Sequence, residues 1–266
     1  DTMDTFVNSS WYFLRYCDPN NSDKIFDEKK GAYWCPIDTY IGGAEHSCMH
    51  LIYFRFYTKF LRDIGLIKFD EPAKRLFHQG IVHGENGLKM SKSKGNGVLP
   101  EIVSKKYGID TARFFMCGLA SPDKDITWSE KGINGSLRFI KKIMEILDKL
   151  KIGNDPLKVE HLLNKTIIEV SNDIETFNYR AATIRLKALF DLLFEQKEIS
   201  RDTLEKSLKL LNPFCPHITE ELWEKCGNKD FISTSEWPKS NEKKIIKEDL
   251  KKVDLNEKYL LYVKRL

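Results

Sequence analysis

The chain has 266 residues, 41% of them hydrophobic and 12% aromatic, enough to bury a sizeable core and to exclude wholesale disorder. Its 43 basic and 39 acidic side chains leave a net charge of +4, too mild to argue for nucleic acid by itself, because phosphate affinity follows clustered charge. No apolar run approaches the roughly 20 residues that span a bilayer, and the first residues lack the order of a signal peptide. Six cysteines without a CxxC pair fit free or buried thiols in a reducing compartment, so a cytoplasmic protein is expected. The opening Asp1-Thr2-Met3-Asp4 starts in mid-pattern without an initiator Met, which points to a fragment.

Up to about residue 130, short apolar runs alternate with Gly- and Pro-marked turns, as in Thr39-Tyr40-Ile41-Gly42-Gly43 and Phe77-His78-Gln79-Gly80-Ile81-Val82. They bracket one helical pattern, Glu45 to Asp63, ended by Gly65. This rhythm predicts a parallel α/β fold, with Ile81-Val82 as a short buried strand. Beyond 130 the period becomes 3.6. One stripe is Ile133, Leu137, Ile140, Met144 and Leu147. A second is Leu163, Ile167, Val170 and Ile174, a third Ile184, Ala188 and Leu192, and a fourth Leu204, Leu208 and Leu211. With a fifth helix running on from Asn212-Pro213-Phe214-Cys215-Pro216 through Trp223, this predicts an antiparallel bundle of roughly five helices. Residues 239–258 read as a linker and Tyr259 to Val263 as the start of a strand.

The densest chemistry lies in Lys89-Met90-Ser91-Lys92-Ser93-Lys94-Gly95-Asn96. Three ammonium groups so close repel unless an anion sits among them, and Ser and Gly keep the backbone approachable. That suits nucleotide phosphates, whose charge grows in a transition state, although a solvated basic loop would have the same composition. A second cluster is Gly42-Gly43-Ala44-Glu45-His46-Ser47-Cys48-Met49-His50. The glycines admit a ligand to the backbone, a helix start turns its positive end toward the same place, and Glu45 could accept from ribose hydroxyls. His46 and His50, four apart on a helix, share a face. The pair could be structural, could line a substrate pocket, or could begin a metal site, as in a metal hydrolase. No third ligand is recognisable by spacing and the pattern is not HExxH, so no metal is assigned.

The five letters Lys89 to Ser93 resemble the KMSKS loop of class I aminoacyl-tRNA synthetases. Asp4 to Phe13, Trp34-Cys35-Pro36-Ile37-Asp38, Gly42 to Phe56, Asp70-Glu71-Pro72, Tyr107 to Arg113 and Asn212 to His217 are similar to leucyl members of that family. The resemblance runs from residue 1 to about 238. It implies the second half of a nucleotide-binding, Rossmann-like catalytic domain over 1–100, a connecting segment over 101–130, an anticodon-binding helical bundle over 131–238, and a linker with the start of a C-terminal domain over 239–266. It implies an α/β-then-all-α fold and a leucine–tRNA ligase that uses ATP and Mg2+. The alternatives are a synthetase for valine or isoleucine and a non-catalytic tRNA-binding module.

By motif position, the resemblance implies that Phe6, Ser9, Tyr12, His46 and His50 face the leucine side chain. Gly43, Glu45, Gln79, Gly80 and Val82, with Lys89, Met90, Ser91 and Lys92, would meet ATP, Lys89 and Lys92 holding the pyrophosphate. Lys141, Lys142, Arg180, Arg185 and Lys187 could track tRNA(Leu) through its shape and phosphates rather than its bases, although charged helix faces are commonly just solvated. No HIGH motif occurs in the sequence, the expected editing domain would precede Asp1, and only His83 to Leu88 separate the adenine-side strand from the loop. The HIGH-containing half and the editing domain are therefore expected partners, in the same or another chain, with no membrane partner.

Overall fold

In the computed structural model of the chain, residues 3–91 and 95–245 are described. Lys92, most of the expected linker and the expected strand from Tyr259 to Val263 lie outside them. The backbone divides into two units, Asp1–Ile81 with Asp123–Asp125, and Val82–Pro122 with Ile126–Leu266.

The first unit starts with α1, Thr5–Cys17, which Asp4 caps by accepting from the Phe6 amide at 2.8 Å. Helix α2, Glu28–Trp34, is capped in the same way by Asp27. Strand β1, Tyr40–Gly43, runs parallel to β2, Leu76–Gln79, in a register that pairs Tyr40 with Leu76 and Gly43 with Gln79. Between them lies α3, Met49–Asp63. At its end Gly65, at φ 83°, donates to Arg62 and lets Leu66 donate back to Leu61, closing the last turn in a Schellman motif. Helices α1 and α3 meet through Phe13 and Phe54, rings 5.0 Å apart and edge-on, over a core completed by Leu14, Phe26, Leu61 and Ile67. The helix expected from Glu45 begins only at Met49. Ala44–Ser47 form a 3-10 turn, and Cys48, at φ −89° and ψ −107°, breaks the helical path between the two.

The second unit opens with β3, Val82–His83, and continues through α4, Pro100–Tyr107, and α5, Ile109–Leu119, to β4, Ile126–Thr127, which pairs parallel with β3. The bundle follows as α6, Glu130–Met144, the single turn α7, Ile146–Lys149, then α8, Leu157–Glu175, α9, Tyr179–Phe194, α10, Arg201–Leu211, and α11, Pro216–Lys225. Short strands β5, Lys151–Ile152, and β6, Glu198–Ile199, tie two connections together. Asp155 strengthens the tie by accepting from the Ser200 amide and hydroxyl and from the Thr203 hydroxyl, at 2.6–2.7 Å.

The α10 stripe is buried, and so is the α8 stripe apart from Ile174, which is half-buried. On α6 the stripe turns: Ile133 and Ile140 are buried but Phe139 and Ile143 join them, while Met144 is 57% exposed. On α9 the expected Ile184 is 56% exposed, and Leu186, Leu189, Phe190 and Leu193 face the core. On both helices the apolar residues are more numerous than one stripe, and packing selects which of them face the core.

Candidate functional site

In the first unit, two parallel strands end side by side, with Gly43 opposite Gln79 at their carboxyl edge. Open α/β sheets bind ligands beyond such edges. A β-carbon on Gly43 would overlap the Glu45 carboxylate, and one on Gly80 would collide with the Lys124 backbone carbonyl. The Glu45 side chain could swing aside, whereas the main chain at Lys124 could not, so close approach requires glycine at Gly80. The Ile81 amide beside them donates to Asp125 Oδ1 at 2.7 Å. The structure therefore gathers Gly43, Glu45, Gln79 and Gly80 at one edge.

Next to that edge stands an aromatic chain. The Tyr12 and Tyr40 hydroxyls lie 3.0 Å apart, and Tyr40 shares a 2.8 Å hydrogen bond with His50 Nε2. The His50 ring stacks on Phe54 at 5.2 Å and meets His46 at 6.2 Å, nearly perpendicular. Although His46 sits on the 3-10 turn rather than on α3, the two imidazoles still converge. Phe6 stacks on Tyr53 with centroids 5.5 Å apart, and Ser9 turns its hydroxyl back onto the Phe6 carbonyl at 3.0 Å.

His50 is buried, and burial followed by the repulsion of His46 holds its pKa below 6.5. It is thus neutral near pH 7. Burial, followed by the hydrogen bond shared with Tyr12, pushes the Tyr40 phenol well above its ordinary value, so it stays neutral. Tyr40 links two of the expected residues, yet sequence reasoning gave it no role. Its one signal was an aromatic residue two positions before a Gly-Gly pair.

In the second unit, the segment after β3 folds back as a hairpin. The Gly84 amide donates to Leu88, Gly87 at φ 73° turns the chain, and the Met90 amide donates to Val82 at 3.1 Å. This sets Lys89, exposed, against His83 in an antiparallel bridge, and brings Val82, Lys89, Met90 and Ser91 together. The Asn96 side chain closes the base of the loop: Oδ1 accepts from the Ser91 amide at 2.9 Å and Nδ2 donates to the Lys89 carbonyl at 3.2 Å. Asn96 stood in the quoted string with no function assigned to it. A side-chain amide that both donates and accepts was the available signal.

The cations suggested for RNA divide in two. Lys142 pairs with Asp191 at 2.8 Å and lies 4.5 Å over the Phe194 ring. Arg185 bridges Asp173 and Glu169 at 2.7 and 2.9 Å. Lys187 covers the Phe114 ring. Lys141 and Arg180 are exposed. Among the described residues no group of three or more His, Cys, Asp or Glu could hold a metal ion, and no helix is long and apolar enough to cross a membrane.

Residues 1–129 match the family described as tRNA synthetases class I (I, L, M and V), and residues 157–263 match the anticodon-binding domain of tRNA ligase. The chain is 43% identical over 249 residues to a leucine–tRNA ligase of Solibacter usitatus, covering 90% of this chain and 31% of that protein. It is 40% identical over 278 residues to that of Petrotoga mobilis, covering 94% and 33%. Among solved structures, LeuRS of Agrobacterium radiobacter K84, in a ternary complex with tRNA and LeuAMS, superposes with a TM-score of 0.82 at 33% identity, over 92% of this chain and 34% of that one. The chain thus spans about a third of the length of the curated relatives it matches.

Proposed function

We propose that the chain belongs to the class I tRNA synthetases and forms part of a leucine–tRNA ligase, contributing half of the amino-acid-activating site and a tRNA-binding bundle. The observation that carries the reading is 40–43% identity to leucine–tRNA ligases across 90–94% of the chain. In the reaction, the leucine carboxylate attacks the α-phosphate of ATP and pyrophosphate leaves. A terminal ribose hydroxyl of tRNA(Leu) then takes the leucyl group from the adenylate and AMP leaves. No protein nucleophile is needed, so positioning and charge neutralisation supply the rate.

In this reading, His46 and the neutral His50, with Phe6, Ser9 and Tyr12, receive the apolar side chain. Gly43, Glu45, Gln79 and Gly80 receive the adenosine at the strand edge, and Val82 is assigned to the same ligand. Lys89 and Lys92, with the loop residues Met90 and Ser91, hold the pyrophosphate. Mg2+ would arrive with the ATP phosphates and spread their charge, since the described residues form no carboxylate cage of their own. The exposed Lys141 and Arg180 are the cations best placed to meet an RNA backbone, and Lys142, Arg185 and Lys187 first serve their internal partners.

The test is leucine-dependent pyrophosphate exchange by the complete enzyme. Lys92→Ala is expected to lower kcat about 10²–10³-fold with little change in the KM for ATP, the scale for losing one preorganised charge-stabilising donor. Lys94→Ala, which removes the same charge outside the five-letter motif, is expected to have little effect. Equal losses at both positions, or exchange driven by valine or isoleucine in place of leucine, would overturn the reading.

A further inference from the structure

Within the second unit, both flanks of the basic loop lead to the first turn of α6. Upstream, the turn of the hairpin carries Glu85, whose Oε1 accepts from the Glu130 amide at 2.9 Å. Glu130 is the first residue of α6, so its amide lies ahead of the helical ladder, which opens with the Ile133 amide onto the Ser129 carbonyl. The Ser129 hydroxyl takes the Gly132 amide at 3.2 Å and leaves the Glu130 amide to Glu85. A carboxylate at that end of a helix also meets its positive pole. Two residues earlier, the Trp128 amide donates at 2.9 Å to the carbonyl of His83, the residue that faces Lys89 across the hairpin.

Downstream, the last two residues of α4 return to the same glutamate. Lys106 Nζ and the Tyr107 hydroxyl both donate to Glu130 Oε2, at 2.8 and 3.2 Å. The ion pair is more than half exposed on both sides, so it adds little by itself. Tyr107 is buried, in a cluster with Val103, Trp128 and Ile133 against which Met90 and Val98, one from each flank, also pack. Its ring cannot swing away, so the carboxylate that receives its hydroxyl ties α4 to α6 in one register. Glu130 thus holds the upstream flank by its main chain and the downstream flank by its side chain.

The base for these ties is itself fixed. Phe114 of α5 stacks on Phe139 of α6 at 4.9 Å. Helix α5 is in turn pinned to α11: the Asp110 carboxylate accepts from the Ile218 amide and meets His217 Nδ1, both at 2.8 Å, and Arg113 donates to the Pro213 carbonyl at 2.8 Å.

We propose that Glu130 and Glu85 are positioning residues for amino-acid activation, fastening both flanks of the basic loop to the bundle so that Lys89 stands where pyrophosphate leaves. The inference rests on the function proposed above. Neither glutamate touches substrate in this role; both act through Lys89, and a clamp loses rate when its geometry loosens.

The experiment measures leucine-dependent pyrophosphate exchange by the complete enzyme. Glu130→Ala and Glu85→Ala are each expected to lower kcat about three- to tenfold, the scale of one hydrogen bond, with the KM for leucine unchanged. Glu130→Gln keeps an acceptor for Tyr107, and Glu85→Gln keeps one for the Glu130 amide, so both should recover most of the loss. Glu145→Ala, which removes a carboxylate paired with Lys149 at the far end of α6, should leave kcat unaltered. The decisive arm is a double-mutant cycle. In a Lys89→Ala background, Glu130→Ala should cost less than about twofold, because a positioning residue then has nothing left to position. An unchanged kcat in the alanine variants, or an equal loss with and without Lys89, overturns the proposal. A second measurement does not need the reaction. In the isotope-labelled 266-residue chain, the Met90 and Ser91 amides, bonded to Val82 and Asn96, should exchange their hydrogens faster in Glu130→Ala and Glu85→Ala. Amide rates equal to those of the wild type would overturn the fastening. A wild-type enzyme without leucine-dependent activity would count against the proposed function alone, and the amide rates would still judge the two glutamates.

Discussion

Tyr40 lies between α1 and α3, and its single hydroxyl touches both Tyr12 and His50. Replacing it with Phe removes two hydrogen bonds and leaves a buried imidazole nitrogen without its partner. Tyr40→Phe is therefore expected to destabilise the fold by about 1–3 kcal/mol, the cost of one unsatisfied buried polar group, measured by urea denaturation. His50 adds a pH dependence. Below 6.5 the unfolded chain takes up a proton that folded His50 refuses, so stability falls as pH drops from 6.5 toward its lowered folded pKa. Denaturation midpoints between pH 7.5 and 5.5 should show that fall, and His50→Gln should flatten it. Neither effect was fully legible in the sequence. The histidine pair announced itself through spacing, but Tyr40 acts through partners 28 and 10 residues away, and no local pattern reports such distances.

Among the elements, the hairpin from β3 into the basic loop depends most on one side chain. Asn96 holds the backbone at both Lys89 and Ser91, so the lysine next to it projects from a fixed base. Asn96→Ala in the complete enzyme is expected to lower kcat for leucine activation about tenfold, because a phosphate clamp loses rate when its geometry loosens. An unchanged kcat in pyrophosphate exchange would remove Asn96 from the mechanism. The strand–turn–loop order was readable from Gly and Lys placement, and the helices α8 and α10 from clean stripes. Helices α1 and α2 were not anticipated, because their sign was an aspartate at each N-cap, Asp4 and Asp27, rather than a long period. The faces of α6 and α9 needed tertiary packing to choose among more apolar residues than one stripe holds.

For the whole molecule, the hydrophobic clusters follow the division into units. Phe13, Phe54 and Leu61 belong to the first, and the large cluster around Phe190 belongs entirely to the second. Phe190 is fully buried and meets Phe139 edge-on at 6.0 Å. Phe190→Ala is expected to cost about 3–5 kcal/mol, the usual range for a core aromatic truncated to Ala, read as a lowered midpoint in urea by far-UV circular dichroism. A loss below 1 kcal/mol would mean that the bundle core repacks around the gap. The α/β-then-all-α order was visible in the change of period near residue 130, because period is a property of every residue in a helix and not of a few.

The carboxylate of Asp110 completes the start of a helix 107 residues further along. A ribosome adding about 5–20 residues per second would make that interval last about 5–20 s. For that time Asp110 has been joined to the chain while the helix that it will serve is still being translated. Helices α6, α8 and α9 therefore have the opportunity to assemble against α5 before α11 arrives. On that schedule α11 would meet a carboxylate that is already available.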